Sequence, residues 1–356
     1  MRSMFIDIAC NKMQLIGLIG YGYWGEKLSR CFGLNKQCKL ISICDKDNSR
    51  LNAANDKFPG VSLYNNYDLM LDSEHSMNAL VIATPPSTHF EIARSAILKN
   101  INILVEKTFT TSTDDAKKLV SLSDNNKVNI CIDYTFLYNS NIIKMKKLIT
   151  NKLIGDVKQI HFKRKVGRYR DDVSVIFDLA SHDFSIIDYL FGLHNKTIEI
   201  HVTKHNNYGF EQISSAIIRL NLIDDGIKSY HDVEWFGEQK VRSILVIGTT
   251  GGLLLENKDN KEQLTYIKGN SDQFINNETF NRLSDITTPI FIQKQNEALI
   301  NLSVDFINSI NNQKKPLADK YLGIRVLDLI QDCHQSIRLK RKVVKNYFNC
   351  GEAEGM

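Results

Sequence analysis

Up to about residue 135 the chain alternates short apolar runs with helical patterns, and this constrains its fold more than any other feature. The runs are "QLIGLIG", "KLISICD", "ALVIATP", "NILVEK" and "VNICIDY". A strand buried on both faces reads as a continuous apolar run. The segments between them, such as "STHFEIARSAILKN" and "STDDAKKLVSLSD", carry helical spacing, with Ser87 and Ser112 placed as N-caps. Strands alternating with helices predict a parallel sheet covered on both sides. Such sheets place ligands outside the carboxyl ends of their strands.

After about residue 155 the pattern changes. "VKQIHFKRKV", "TIEIHVTKH", "SSAIIRLNL", "KSYHDVEWF" and "VRSILVIG" follow one another with few helices between them. They predict an antiparallel sheet with one face on a core. One helix interrupts it, "DLASHDFSIIDYLFG", with Phe184, Ile187 and Leu190/Phe191 on one side. Two more, near 292–312 and 321–340, close the chain. "NKDNKEQ" reads as a loop, and the basic run "RLKRKVVK" as a solvated helix end. The expected fold is α/β: a Rossmann domain over 1–136, then an α+β domain over 137–356 with a large, mostly antiparallel open sheet.

A length of 356 residues suits two domains. The net charge of +5 is small, and dispersed basic residues give no nucleic-acid stripe. The 7 cysteines form no CxxC pair, which predicts no metal site, no disulfide framework and a reducing, cytoplasmic compartment. "MRSMFIDIACNKM" has Asp7 within its apolar patch and is too short for a secretory signal. No stretch approaches the roughly 18 apolar residues of a membrane span.

The first strand runs into "GYGYWGEKLSRCF", which has G-x-G-x-x-G spacing at Gly20, Gly22 and Gly25, with Tyr23 and Trp24 inside it. The first glycine allows the turn, the second admits a pyrophosphate, and the third lets the helix pack on the strand. Asp45 ends the next strand about 20 residues beyond Gly25, where a ribose-binding acid belongs. Its charge would repel a 2′-phosphate, which favours NAD over NADP. Lys46 and Arg50 stand near enough in sequence to moderate that preference. Thr84, Pro85 and Pro86 end another strand as a stiff floor, because proline cannot continue a central strand. His89 opens the following helix, as a packing residue or a ligand contact. Glu106 and Lys107 stand where "NILVEK" reaches the edge of the sheet.

Asp178 and His182 are four residues apart, so they share a helix face, with Asp183 about a quarter-turn aside. Either the helix is amphipathic with a polar outer stripe, or the pair does chemistry. Oxidising a secondary alcohol needs a base for the hydroxyl proton, and histidine serves near neutral pH.

Taken in order, "GLIGYGYWG", "TPPSTH", "VEKT" and "DLASHD" resemble the Gfo/Idh/MocA oxidoreductases over nearly the whole chain. The resemblance implies NAD(P)-linked oxidation or reduction of sugars, inositols or nucleotide-linked sugars. It places the family's Glu-Lys-Pro motif on Glu106, Lys107 and Thr108, with Lys107 touching both cofactor and substrate hydroxyl. It places the Asp-x-x-x-His pair on Asp178 and His182. Gly20, Gly22, Tyr23, Trp24, Gly25, Asp45, Thr84, Pro85, His89, Glu106 and Lys107 are then the cofactor contacts. Lys107, Tyr138, Arg168, Asp178 and His182 are the substrate contacts. Thr108 replaces the family's proline, so a trans turn is expected there. "DYTFLYNSNIIKMKKLI" and "RDDVSVIFDLASHD" resemble a subgroup linked to surface-polysaccharide sugars. Arg168, Tyr169 and Arg170 are either a clamp for an anion or an exposed loop. The family assembles as dimers or tetramers through the second sheet. NAD-assisted glycoside hydrolysis and a non-catalytic nucleotide sensor are the alternative functions.

Overall fold

A computed structural model describes residues 13–167, 169–205, 212–236, 240–258, 261–269, 287–292 and 296–347. Arg168, expected at the substrate, lies outside them. The chain divides into two compact units, one of residues 1–133 and 299–320, the other of 134–298 and 321–356.

In the first unit the strands are β1 (Gln14–Ile19), β2 (Cys38–Cys44), β3 (Ser62–Tyr64), β4 (Ala79–Ile82), β5 (Asn102–Glu106) and β6 (Ile130–Asp133). Helices α1 (Tyr23–Leu34), α2 (Asn48–Lys57), α3 (Tyr67–Ser73), α4 (His89–Leu98) and α5 (Thr113–Asn125) connect them. The order is β3-β2-β1-β4-β5-β6, with every pair parallel. The winding reverses between β1 and β4, and such a switch point is where open sheets bind dinucleotides. Ile103, Leu104 and Val105 on β5 are fully buried, as the apolar run requires. Ser112 caps α5 by accepting from Asp115 N at 3.2 Å. Ser87 does not cap α4: it lies in a 3₁₀ turn over Pro86–Thr88, and the helix starts at His89 with no side-chain cap. Pro86 opens that turn, and the Thr88 hydroxyl closes it by donating to Pro85 O at 2.8 Å.

In the second unit α6 (Ser140–Thr150), β7 (Val157–Lys165), α7 (Ser181–Phe191), β8 (Lys196–His205), β9 (Ser215–Leu222), β10 (Ile227–Glu234), β11 (Val241–Gly248), β12 (Gly251–Lys258), β13 (Lys261–Lys268) and β14 (Thr287–Pro289) follow in order. Then come α8 (Ala298–Asn311), α9 (Lys320–Leu339) and β15 (Val343–Tyr347). Most of α8 returns to the first unit. There Phe306 packs edge-on to Phe32, and Ile132 N donates to Ala318 O at 2.9 Å.

The nine-stranded sheet has the order β14-β13-β12-β11-β7-β10-β9-β8-β15. Only β7 and β10 pair in parallel; the other pairs are antiparallel. Two stretches differ from the sequence reading. "NKDNKEQ" contributes the end of β12 and the start of β13, two strands paired from Gly251↔Lys268 to Lys258↔Lys261. "RLKRKVVK" leaves the helix at Leu339 and becomes the edge strand β15 on β8, anchored where the Tyr347 hydroxyl donates to Asp332 at 2.7 Å. Charged residues suit an edge strand, which must discourage further pairing. Among the described residues, no helix is long and apolar enough to cross a membrane.

Candidate functional site

The turn after β1 makes room for a ligand backbone. Gly20 has φ +93°, and a Cβ there would stand 2.6 Å from Ala83 O. A Cβ on Gly25 would stand 1.8 Å from Gly20 O, so the helix meets the strand only as glycine. At Gly22 the nearest atom to a Cβ is Arg50 Nη1 at 3.5 Å, which leaves the loop's outer side open. No side chain caps α1. Its first N–H groups are therefore not taken up by a capping side chain, at the end of the helix whose dipole favours an anion. Tyr23 and Trp24 flank the loop, 69% and 39% exposed, with Lys27 Nζ over both rings. Asp45, at the end of β2, is buried. Its Oδ2 accepts from Tyr21 N at 2.6 Å and its Oδ1 from Asp47 N at 2.9 Å. Arg50 Nη1 stands 3.5 Å from Oδ2. The glycine cradle, the uncapped helix and the acid together fit a dinucleotide.

At the ends of β4 and β5 the backbone is tied together by His89. The ring is fully buried, with Nδ1 3.0 Å from Thr108 O and Nε2 2.8 Å from Thr84 O. Burial holds its pKa below the usual histidine value, against the raising effect of those carbonyls. Both ring nitrogens thus face backbone, and His89 organises the turn that carries Lys107. The Thr84 and Thr88 hydroxyl oxygens lie 2.7 Å apart, and Pro85 is exposed beside them.

Lys107 is half-buried, and the peptide joining it to Thr108 is cis, where a trans bond was expected. Its surroundings over-determine the turn. Lys107 N donates to Glu106 Oε2 at 3.1 Å, His89 meets the Thr108 carbonyl, and Thr108 is 1% exposed. Glu106 and Asp133 are register partners on β5 and β6, both buried, and their side chains hydrogen-bond to each other. Two carboxylates held side by side and buried disfavour ionisation of both at once. Burial first, then Asp133, pushes the Glu106 carboxyl well above the usual range, with Lys107 opposing. Asp133 was not singled out in the sequence; its signal was an acid closing an otherwise apolar strand, "ICID".

In the second unit Asp178 sits in a π-helical turn, Ile176–Ala180, that leads into α7. Such turns are frequent at functional sites. Asp178 is 4% exposed; Oδ1 accepts from Arg170 Nη1 at 3.1 Å and Oδ2 from Trp235 Nε1 at 3.2 Å. His182 is half-buried and meets the Phe136 ring edge-on, centroids 4.9 Å apart. The polar residues of α7 are not an outer stripe. Asp183 is fully buried and takes Arg164 Nε and Nη2 on Oδ1 at 3.0 and 2.7 Å. Its Oδ2 lies 3.5 Å from His231 Nδ1. Burial would raise the Asp183 carboxyl, but Arg164 and His231 outweigh it and hold the pKa low. Asp188, also buried, takes Arg325 through two bonds of 2.8 and 2.7 Å. Tyr138 is 4% exposed. Arg170 is occupied by Asp172 and Asp178, and Tyr169 packs on Trp235 and Phe236. Among the described residues, no group of three or more His, Cys, Asp or Glu could hold a metal ion.

A dinucleotide-binding Rossmann unit carried with an open-sheet α/β unit defines a class of nicotinamide oxidoreductases. The chain belongs to the Gfo/Idh/MocA family. Residues 15–134 match its oxidoreductase, NAD-binding Rossmann fold, and 146–345 match its C-terminal alpha/beta domain. The inositol 2-dehydrogenase of Corynebacterium glutamicum strain R is 20% identical over 61% of this chain and 66% of its own length. The glucose-6-phosphate 3-dehydrogenase of Bacillus subtilis is 26% identical over 50% of this chain and 54% of its own. The chain thus spans about two thirds or less of these relatives. The crystal structure of the WlbA dehydrogenase from Bordetella pertussis, in complex with NADH and UDP-GlcNAcA, shares the fold with a TM-score of 0.77. Its sequence is 17% identical, and the match covers 94% of this chain and 98% of that one.

Proposed function

We propose that this protein is an NAD-dependent dehydrogenase or keto-sugar reductase. It transfers a hydride between nicotinamide and a secondary alcohol or ketone of a sugar, in particular a nucleotide-linked sugar of surface-polysaccharide synthesis. The observation that carries this reading is Lys107, held at the carboxyl end of β5 by its neighbours in an NAD-binding Rossmann unit. Gly20, Gly22, Tyr23, Trp24 and Gly25 line the pyrophosphate loop, and Asp45 receives the ribose. Thr84, Pro85, His89 and Glu106 form the floor around Lys107. Bound NAD supplies the hydride acceptor. Lys107 holds the reacting oxygen by its ammonium group. His182 takes the hydroxyl proton in oxidation and returns it in reduction. Asp178 orients the sugar from the π-helical turn that leads into α7, held there by Arg170 and Trp235. Tyr138 supports the substrate pocket.

The relatives support the substrate class, since their names are those of inositol and sugar dehydrogenases. A panel of sugars and nucleotide sugars, followed by the absorbance of reduced nicotinamide, tests the reading. NADH formation with one of them that depends on Lys107 and His182 is the expected result. Sugar cleavage without net NADH would replace it with NAD-assisted hydrolysis. NAD binding with neither reaction would leave a sensor.

We also propose a cytoplasmic homodimer or homotetramer joined through the second face of the nine-stranded sheet. His161 stacks on Tyr230 there, and Ile217 is 38% exposed. A monomeric mass by light scattering at micromolar concentration would contradict it.

A further inference from the structure

The short turn Thr135–Tyr138 sets Phe136 against the nine-stranded sheet. The guanidinium carbons of Arg164 and Arg242 lie 4.8 and 4.5 Å from its ring centroid, and His182 meets the same ring edge-on. Arg164 and Arg242 are register partners on β7 and β11, so they share a sheet face. Two like charges side by side in a half-dry site each need an anion.

Arg164 has one. Asp183 takes two of its N–H groups in short bonds. Arg242 has less. Its partner is Glu262, through a single bond of 3.4 Å from Nη1 to Oε1. The other oxygen of Glu262 accepts from the side-chain amides of Asn139 at 2.7 Å and Asn141 at 3.3 Å, so that carboxylate is already shared. A guanidinium has five N–H donors. Burial and then the Arg164 charge lower the Arg242 pKa, the direction expected of a cation with too little counter-charge. The side chain remains 28% exposed, so a ligand can reach it. Arg170, by contrast, has three donors committed to Asp172 and Asp178.

We infer that Arg242 is the anion-recognising group of the substrate site: a carboxylate or phosphate carried by the sugar docks on its free fork, with Phe136 as the floor and His182 against the same ring. The reading rests on the dehydrogenase function proposed above and narrows it to sugars that bear an oxyanion. Planar oxyanions take two parallel N–H bonds from arginine, which gives orientation as well as affinity. Docking the anion there would set the sugar ring relative to His182 before any proton moves.

The test is calorimetry on the NADH-saturated full chain with glucuronate, glucose 6-phosphate, UDP and, as the neutral control, glucose. At least one anionic probe should bind roughly tenfold or more tightly than glucose, in line with a charge-assisted hydrogen-bonded pair. Arg242→Leu should erase that advantage, and Arg242→Lys, which keeps the charge but loses the fork, should retain part of it. The preferred probe then distinguishes a sugar carboxylate from a phosphate. If no anionic probe outbinds glucose, or if the advantage survives in Arg242→Leu, the inference is overturned. NADH titration separates the two levels. A variant that binds NADH like wild type is folded and reports on Arg242 alone. A wild-type chain that fails to bind NADH would instead overturn the nicotinamide reading itself. Should Arg242→Leu not fold, the graded loss in Arg242→Lys decides the case: unchanged anion affinity there counts against the inference.

Discussion

Glu106 in the Rossmann unit and Asp183 in the open-sheet unit are carboxyl groups buried to nearly the same degree, 8% and 0% exposed. Yet their proton affinities move in opposite directions. Burial is the leading influence on both, and it favours the neutral acid. Glu106 faces a second acid, Asp133, which adds to the effect of burial. Asp183 faces Arg164 in a two-pronged bond and His231 at 3.5 Å, which reverse it. The partner, not the depth, decides the charge. Beside Lys107 the neutral form of a buried acid is favoured, while in the other unit the charged form is favoured next to Arg164, whose guanidinium lies over Phe136.

The largest expected effect of breaking this contrast is at Asp183. Removing it leaves Arg164 buried at 4% exposure without its anion. Asp183→Ala should therefore cost about 3–5 kcal/mol in urea unfolding. The double variant Asp183→Leu with Arg164→Met should recover much of that loss, because no uncompensated charge remains. A double variant as unstable as the single one would show that the pair is needed for more than charge balance.

Asp45 sharpens the comparison, as a third buried carboxyl whose partners are the backbone N–H groups of Tyr21 and Asp47. Asp45→Ala should narrow the preference for NADH over NADPH by about tenfold or more in fluorescence titration, since a unit charge near a phosphate is worth a few kcal/mol at an effective dielectric near 20. Wild-type protein binding NADPH more tightly than NADH would reverse the account of Asp45.

The smallest effect is a slope. The Glu106 carboxyl takes up its proton more readily in the folded chain than in the unfolded one. Folded protein therefore holds more protons above the unfolded value near 4.5, and stability falls as pH rises from there toward the folded pKa. The fall is at most about 1.4 kcal/mol per pH unit for one proton. Glu106→Gln lets an amide donate to an ionised Asp133, so its stability should be flatter over the same range. A slope identical to wild type would place the proton elsewhere. Asp183 contributes with the opposite sign: its stabilisation is present above the unfolded value near 3.8 and fades only as pH drops through its lower folded value.

The two units also differ in how much of them the sequence discloses. The Rossmann half is written locally: strands buried on both faces keep unbroken apolar runs, and glycine spacing marks where the ligand backbone approaches. The open sheet is less legible, because its edge strands are half-solvated and carry the same Lys and Asn residues as loops. The runs at 338–345 and 257–263 therefore carry the composition of a helix end and a loop, yet both contribute to strands. The candidate site divides similarly. Lys107, Asp178 and His182 stand in contiguous motifs. Arg242 and Arg164 meet only through the pairing of β11 with β7, and Asp133 meets Glu106 only through the register of β6 on β5, neither of which local spacing encodes. Likewise the cis peptide after Lys107 has no local signal, because Thr108 stands where a proline would have given one.

The measurement closest to the central claim is the hydride-transfer rate of His182→Ala, taken beside its NADH affinity on a substrate that the wild-type chain oxidises. The account predicts that NADH affinity stays near wild type while transfer slows by about 10² to 10⁴, the range that general acid–base catalysis contributes. Lys107→Met should slow it too and also weaken NADH binding, since Lys107 is assigned to both ligands. Full transfer activity in His182→Ala would contradict the account, leaving α7 as only a wall of the pocket.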